Sequence, residues 1–91
     1  MEHVDYKVPG GKMLRIDVEI TEDRIEKIKI RGDFFIHPED SLRDLEESLY
    51  GVGVNDIVEE FKDYIESKGV DVIGFDGEDL KTAVSKAKDG N

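Results

Sequence analysis

Ninety-one residues bound this chain to one small domain with a modest core, too small for a large active-site cleft with its own lid. No cysteine is present, which excludes a disulfide framework and a thiolate metal site, and no run of about 18 apolar residues could span a membrane. Thirteen basic against 23 acidic residues give a formal charge of −10, a field that opposes binding to a nucleic-acid backbone.

In chain order, the N-terminal Met-Glu-His-Val-Asp lacks the basic and apolar regions of a signal peptide, so the expected location is the cytoplasm. Residues 1–5 are expected to fray. Lys7-Val8-Pro9-Gly10-Gly11-Lys12 is a Pro-Gly segment between two lysines. Leu14, Ile16, Val18 and Ile20 then alternate with Arg15, Asp17 and Glu19, the period of two of a half-buried strand. Thr21-Glu22-Asp23-Arg24 is a polar break, and Ile28 and Ile30 alternate with Lys27, Lys29 and Arg31 in a second strand. A hairpin register that sets Val18 opposite Ile28 and Ile16 opposite Ile30 joins apolar pairs on one face. On the other face it sets Glu19 opposite Lys27 and Asp17 opposite Lys29. Its flaw is Arg15 opposite Arg31, two like charges that must splay apart or find acids elsewhere.

Gly32-Asp33-Phe34-Phe35 follows the hairpin. Pro38 is placed to open a helix, with Glu39 and Asp40 in its first turn and Leu42, Leu45 and Leu49 at helical spacing. Gly51-Val52-Gly53 ends it and Asn55 is placed to cap a second helix, whose apolar stripe is Ile57, Val58, Phe61, Tyr64 and Ile65 and whose terminator is Gly69. Val70-Asp71-Val72-Ile73 reads as a third strand. Asp76 or Gly77 begins a last helix with Leu80, Ala83, Val84 and Ala87 on one face and Lys86 and Lys88 near its end; residues 86–91 are expected to fray. The fold class is therefore α+β: a small antiparallel sheet built on a β-hairpin, covered on one face by about three helices.

Several segments invite a chemical reading. The glycines between Lys7 and Lys12 are compatible with a cradle of backbone N–H groups for an anion. The Gly-x-x-x-x-Gly-Lys-Ser/Thr spacing of a P-loop is missing, and the residues by themselves favour a simple Pro-Gly turn between two strand segments. Adjacent Phe34 and Phe35 on a strand point to opposite faces, so one can fill the core and the other can anchor an interface, unless the helices cover both. His37 has no second ligand nearby for a metal, and Glu46, Glu47, Glu59, Glu60, Asp63 and Glu66 read as solvated helix faces. Asp40-Ser41-Leu42 matches the phosphopantetheine motif of acyl carrier proteins, but those are all-helical. Lipoyl domains display a lysine at a hairpin tip, and this tip has none.

Taken together, the double glycine between Lys7 and Lys12, the hairpin, Gly32-Asp33-Phe34-Phe35 and the Pro-Glu-led helix resemble the accessory domain of lipoate-protein ligases, across residues 5–68. In some organisms, mainly archaea, that domain is a separate polypeptide. The resemblance implies an accessory subunit, without catalytic or metal-ligating residues of its own, in a heterodimer with a catalytic ligase subunit. The complex makes lipoyl-AMP from lipoate and ATP, with Mg, and transfers the lipoyl group to a lysine of a lipoyl-acceptor domain, which this chain would meet only indirectly. It also implies that Lys7, Gly10, Gly11, Lys12, Asp33, Phe34 and Phe35 face the partner or the adenylate site, and that neither nucleic acid nor membrane is a partner. The alternative is an acidic protein-interaction module unrelated to lipoate.

Overall fold

The computed structural model describes residues 1–10 and 12–89. Strands β1 (Glu2–Lys7), β2 (Met13–Thr21) and β3 (Arg24–Gly32) form an antiparallel sheet in that order. The apolar alternation dictates its two faces. Leu14, Ile16, Val18, Ile28 and Ile30 are buried on one side, and charged residues occupy the other. The β2–β3 register is the expected one from Leu14↔Gly32 to Glu19↔Lys27. A bulge between Glu19 and Ile20 then shifts it by one residue, so that Ile20 faces Ile25 and Thr21 faces Arg24. This tightens the tip to Glu22-Asp23, both with positive φ (51° and 63°), as a two-residue hairpin turn of the primed kind requires.

The N-terminal segment forms a strand. Glu2–Lys7 pair with β2 along their whole length, with Val4 opposite Ile16 and Tyr6 opposite Leu14. The reason is a period of two: Val4, Tyr6 and Val8 all turn towards the core, and the Lys86 ammonium lies 6.0 Å from the centre of the Tyr6 ring. The third strand exists but does not join this sheet. Asp71–Ile73 (β5) pairs antiparallel with Phe35–His37 (β4) in a separate two-stranded ribbon, because the chain turns sharply at Gly32 and leaves the plane of β3.

Helices α1 (Ser41–Ser48), α2 (Ile57–Lys68) and α3 (Gly77–Asp89) cover one face of the larger sheet. Two expected helix starts are displaced. Pro38, after a cis peptide bond, closes a turn in which its carbonyl accepts the Ser41 N–H (3.0 Å), so α1 begins three residues later than expected, with Glu39 and Asp40 outside its first turn. Asn55 caps nothing: it lies in a 3-10 turn (Val54–Asp56) that runs directly into α2. The third start is as read. Asp76 N–H donates to the Asp79 carboxylate and Asp79 N–H to the Asp76 carboxylate, both at 3.0 Å, a reciprocal cap that satisfies two orphan donors. Residues 86–89 continue α3, with Ala87 only 3% exposed; Gly90 and Asn91 lie outside the described residues.

The outer edge of β3 is covered in two ways. The segment after α1 adds to it, with Ile25 N–H donating to Val52 C=O (2.9 Å) and Gly51 N–H to Ile25 C=O (2.6 Å). Further along, the Glu46 carboxylate accepts the Ile30 N–H at 2.7 Å, which fixes α1 against the strand. The α1–α2 contact has its own polar tie. Buried Tyr64 donates its hydroxyl to the Asp44 carboxylate at 2.8 Å. Burial, then that carboxylate, pushes the Tyr64 phenol up from 10.0 to about 12. Because the folded value is the higher one, the stabilisation is complete below pH 10 and is lost as the pH rises through about 12. Tyr64→Phe is expected to cost about 1 kcal/mol in urea unfolding at neutral pH, and to abolish that alkaline loss.

Candidate functional site

Gly32 organises the site. Its φ is +140°, and a Cβ there would lie 2.2 Å from the Met13 carbonyl oxygen, so the end of β3 can approach β2 only with a glycine at this position. The close approach lets Asp33 N–H donate to that same Met13 oxygen at 2.9 Å, which pins the start of the 33–35 segment. Phe34 then turns inward. Its ring meets Phe75 edge-on (5.0 Å between centres, 82°), and Phe75 in turn lies 5.6 Å from Phe61. Its backbone is packed so closely on Gly74 that a Cβ on that glycine would fall 2.8 Å from Phe34 Cβ.

With Phe34 anchored, Phe35 must point the other way, and it is 73% exposed. Directly across the ribbon from it stands Ile73, 66% exposed. The structure therefore resolves the choice that the two phenylalanines left open: one packs inward, one is presented to solvent, and the helices do not cover both. Ile73 was missed by the sequence reading, which saw a strand at 70–73 but not its pairing with 35–37.

Lys12 lines a shallow concavity of about 460 Å3 with Gly32, Asp33, Phe34 and Phe35. Sequence positions 12 and 32–35 thus meet at one place. Lys7 and Gly10 lie at the other end of the same β1–β2 turn, which is closed by Val8 N–H donating to Lys12 C=O at 2.7 Å. Lys7 is exposed at the end of β1, and Gly10 has a φ of +106°. Gly11 lies outside the described residues.

A second concavity, also about 460 Å3, opens on the other side of Gly32-Asp33 and is lined by His3, Asp5, Arg15 and Arg31 as well. Here the like-charge pair of the hairpin register finds its acids. Arg31 bonds Asp17 (2.5 Å) and Arg15 lies 3.8 Å from Asp5. His3 bridges the two acids, with Nδ1 at 2.8 Å from Asp17 and Nε2 at 2.7 Å from Asp5. A neutral imidazole has one N–H, so two carboxylate partners select the imidazolium. The Asp17 hydrogen bond, then that of Asp5, raises the His3 pKa above 6.5, and the His3 bond lowers Asp17 below 3.8. The His3 contribution is complete below pH 6.5 and is lost as the pH rises through its raised value; the Asp17 contribution is complete above pH 3.8 and is lost as the pH falls through its lowered value. Asp17→Asn is expected to lower the His3 titration midpoint, read from the imidazole carbon-bound protons by NMR. An unchanged midpoint would remove the bridge. The sequence hides His3 because its partner Asp17 is brought to it only by the β1–β2 pairing, although the alternation of Val4 and Tyr6 already puts His3, Asp5 and Lys7 on the opposite face.

No family model matches the chain. Among curated proteins, lipoate-protein ligase A subunit 2 of Thermoplasma acidophilum is 35% identical over 80 residues, which cover 88% of this chain and 83% of that protein. The chain belongs to the lipoate-protein ligase small-subunit family. A solved structure agrees. A chain from the archaeal lipoylation system of Thermoplasma acidophilum, described as a bi-partite lipoate protein ligase and its E2 lipoyl domain, matches with a TM-score of 0.74 at 32% identity, covering 91% of this chain and 93% of that one.

As a lipoate-protein ligase accessory subunit, the chain has its general role in protein lipoylation. That membership displaces the carrier-protein reading of Asp40-Ser41-Leu42 and the unrelated interaction module. Nor does the chain present a lipoyl-acceptor lysine at its hairpin tip, where Asp23 is paired with Lys88 at 2.5 Å. No helix among the described residues is long and apolar enough to cross a membrane.

Proposed function

We propose that this accessory subunit docks on a separate catalytic subunit as a heterodimer, and that the complex requires it to form lipoyl-AMP from lipoate and Mg-bound ATP. The observation that supports the docking is the exposed Phe35–Ile73 pair beside Lys12 and Asp33. Two large apolar side chains face each other on a short ribbon and are left mostly exposed, and an exposed aromatic of this kind is suited to anchor an interface.

The chemistry gives the docked chain a task. Adenylation joins the lipoate carboxylate to the α-phosphorus of ATP and expels pyrophosphate, and the mixed anhydride formed is open to attack by water. A cap on the catalytic subunit orders the loops around ATP and excludes water from the adenylate. The Phe35–Ile73 ribbon supplies the adhesion. Lys7, Gly10 and Lys12 form the edge nearest the expelled phosphates, with Asp33 fixing the ribbon beside them. ATP, Mg and lipoate are held in the complex rather than by this chain alone. Transfer to the lipoyl domain follows on the catalytic subunit, so this chain meets the acceptor indirectly.

The decisive experiment is lipoate-dependent adenylate formation by the cognate catalytic subunit with and without this chain. Stimulation that saturates near equimolar ratio is expected. Equal rates with and without the chain would sink the proposal. Within the assembled complex, Lys7→Ala and Lys12→Ala are each expected to slow adenylation about tenfold or less, the range of a screened cation near a phosphate. Unchanged rates and affinity for both would remove the lysines from the mechanism.

A further inference from the structure

The open face of the three-stranded sheet is charged unlike the rest of the molecule. Its outward positions carry six bases, Lys7, Arg15, Arg24, Lys27, Lys29 and Arg31, against four acids, Asp5, Asp17, Glu19 and Glu26. That is a net of +2 from these groups. The remaining seven bases and 19 acids leave −12 elsewhere, which restores the formal −10 of the whole chain. The chain is therefore electrically two-sided.

The acids on the open face do not neutralise its lysines. Asp17 stands opposite Lys29 in the register, but it is engaged by His3 and Arg31, and Asp5 is engaged by His3 and Arg15. Among the described residues, neither Lys27 nor Lys29 has a carboxylate oxygen within 4.0 Å, even though Glu19 faces Lys27 across the strands. Lys29 also borders a concavity lined by the acids Glu39, Asp40, Glu46 and Glu47, and it has an ion pair with none of them. His3, Arg15 and Arg31 thus take up Asp5 and Asp17, and Lys27 and Lys29 of β3 are left to solvent. This face is continuous with the docking patch, because Gly32 and Asp33 line both the Arg15–Arg31 concavity and the Lys12–Phe35 concavity.

We propose that the open sheet face, centred on Lys27, Lys29, Arg31 and Arg15, receives an acidic patch of the catalytic subunit and steers the two chains together. The inference rests on the docking reading above and adds the chemistry of the partner surface. A polyanion such as nucleic acid does not fit, since the −12 on the rest of the chain repels it at long range. A local acidic patch on a folded protein fits, because beyond about 10 Å the salt of a 0.1 M solution screens the acidic helices while the docked cations act at contact. Charges placed this way act on the association rate more than on the lifetime of the complex.

The test is stopped-flow association with the cognate catalytic subunit at several salt concentrations. Lys27→Glu combined with Lys29→Glu is expected to slow association about tenfold at 50 mM salt or below, with dissociation nearly unchanged and the difference shrinking at high salt. Lys62→Glu with Lys68→Glu, the same charge change on the helical side, is expected to alter association less than about twofold. Circular dichroism confirms that each variant folds. Association that is unchanged or faster in the Lys27/Lys29 variant overturns the inference while the docking proposal stands. Absence of any complex with the unaltered chain overturns the docking proposal and this inference with it.

Discussion

Replacing Gly32 by alanine is expected to remove about 3 kcal/mol or more of stability, a large part of the roughly 5–10 kcal/mol that holds a domain of this size together. Two causes add. The φ of +140° lies where an L side chain is strained, which alone costs about 1–3 kcal/mol. The new Cβ would also sit 2.2 Å from the Met13 oxygen. That oxygen belongs to the backbone of β2 and accepts the Asp33 N–H, so it cannot swing aside as a flexible side chain would. Relief requires β3 to part from β2 at the very point where the ribbon begins. Gly51→Ala is the control: its φ is +83°, but a Cβ there meets nothing within 4 Å, so only the conformational cost of about 1 kcal/mol remains. Urea unfolding of both variants checks this. A Gly32→Ala loss no greater than that of Gly51→Ala would mean that the strands relax freely, and the site would lose its fixed frame.

How much of this was legible in the sequence depends on the range of the interaction. The β2–β3 register was readable because a hairpin is local: apolar partners on one face and opposed charges on the other leave one alignment, and Val18↔Ile28 and Ile16↔Ile30 follow. The bulge after Glu19 was not, because it is set by the positive φ of Glu22 and Asp23, residues that do not advertise such a turn as Asn-Gly does. The inward Phe34 and outward Phe35 were readable as a pair but not as an assignment, which depends on Phe75 some forty residues away. Ile73 and His3 were hidden for the same reason. Each acquires its role from a partner distant in sequence, Phe35 in one case and Asp17 in the other. The opposed Glu19–Lys27 and Asp17–Lys29 rows looked like ion pairs, yet side-chain competition diverted Asp17 to His3 and Arg31. Register fixes which Cα atoms face each other, not which charges meet.

The second large effect is expected at the ribbon. Phe35→Thr together with Ile73→Thr should weaken binding to the catalytic subunit about 100-fold or more, since a central apolar anchor is commonly worth about 2 kcal/mol or more. The two losses should not simply add, because the residues face each other across the strands and share one contact area. Folding should be nearly untouched. Both side chains are about two-thirds or more exposed, and surface changes of this kind usually alter stability by about 0.5 kcal/mol. Phe34→Ala provides the opposite pattern. It removes an aromatic packed on Phe75 and is expected to cost about 2–3 kcal/mol of stability, while leaving the outward pair in place. The kinetics then separate adhesion from chemistry. If Phe35 and Ile73 only hold the chains together, the double variant raises the subunit concentration needed for half-maximal adenylation and leaves the saturated rate intact. Lys12→Ala should do the reverse, lowering the saturated rate with little change in the concentration required, because its ammonium borders the same concavity without belonging to the apolar contact. A saturated rate that falls in the ribbon variant and not in the lysine variant would exchange those roles, and would place the ribbon itself against the adenylate site.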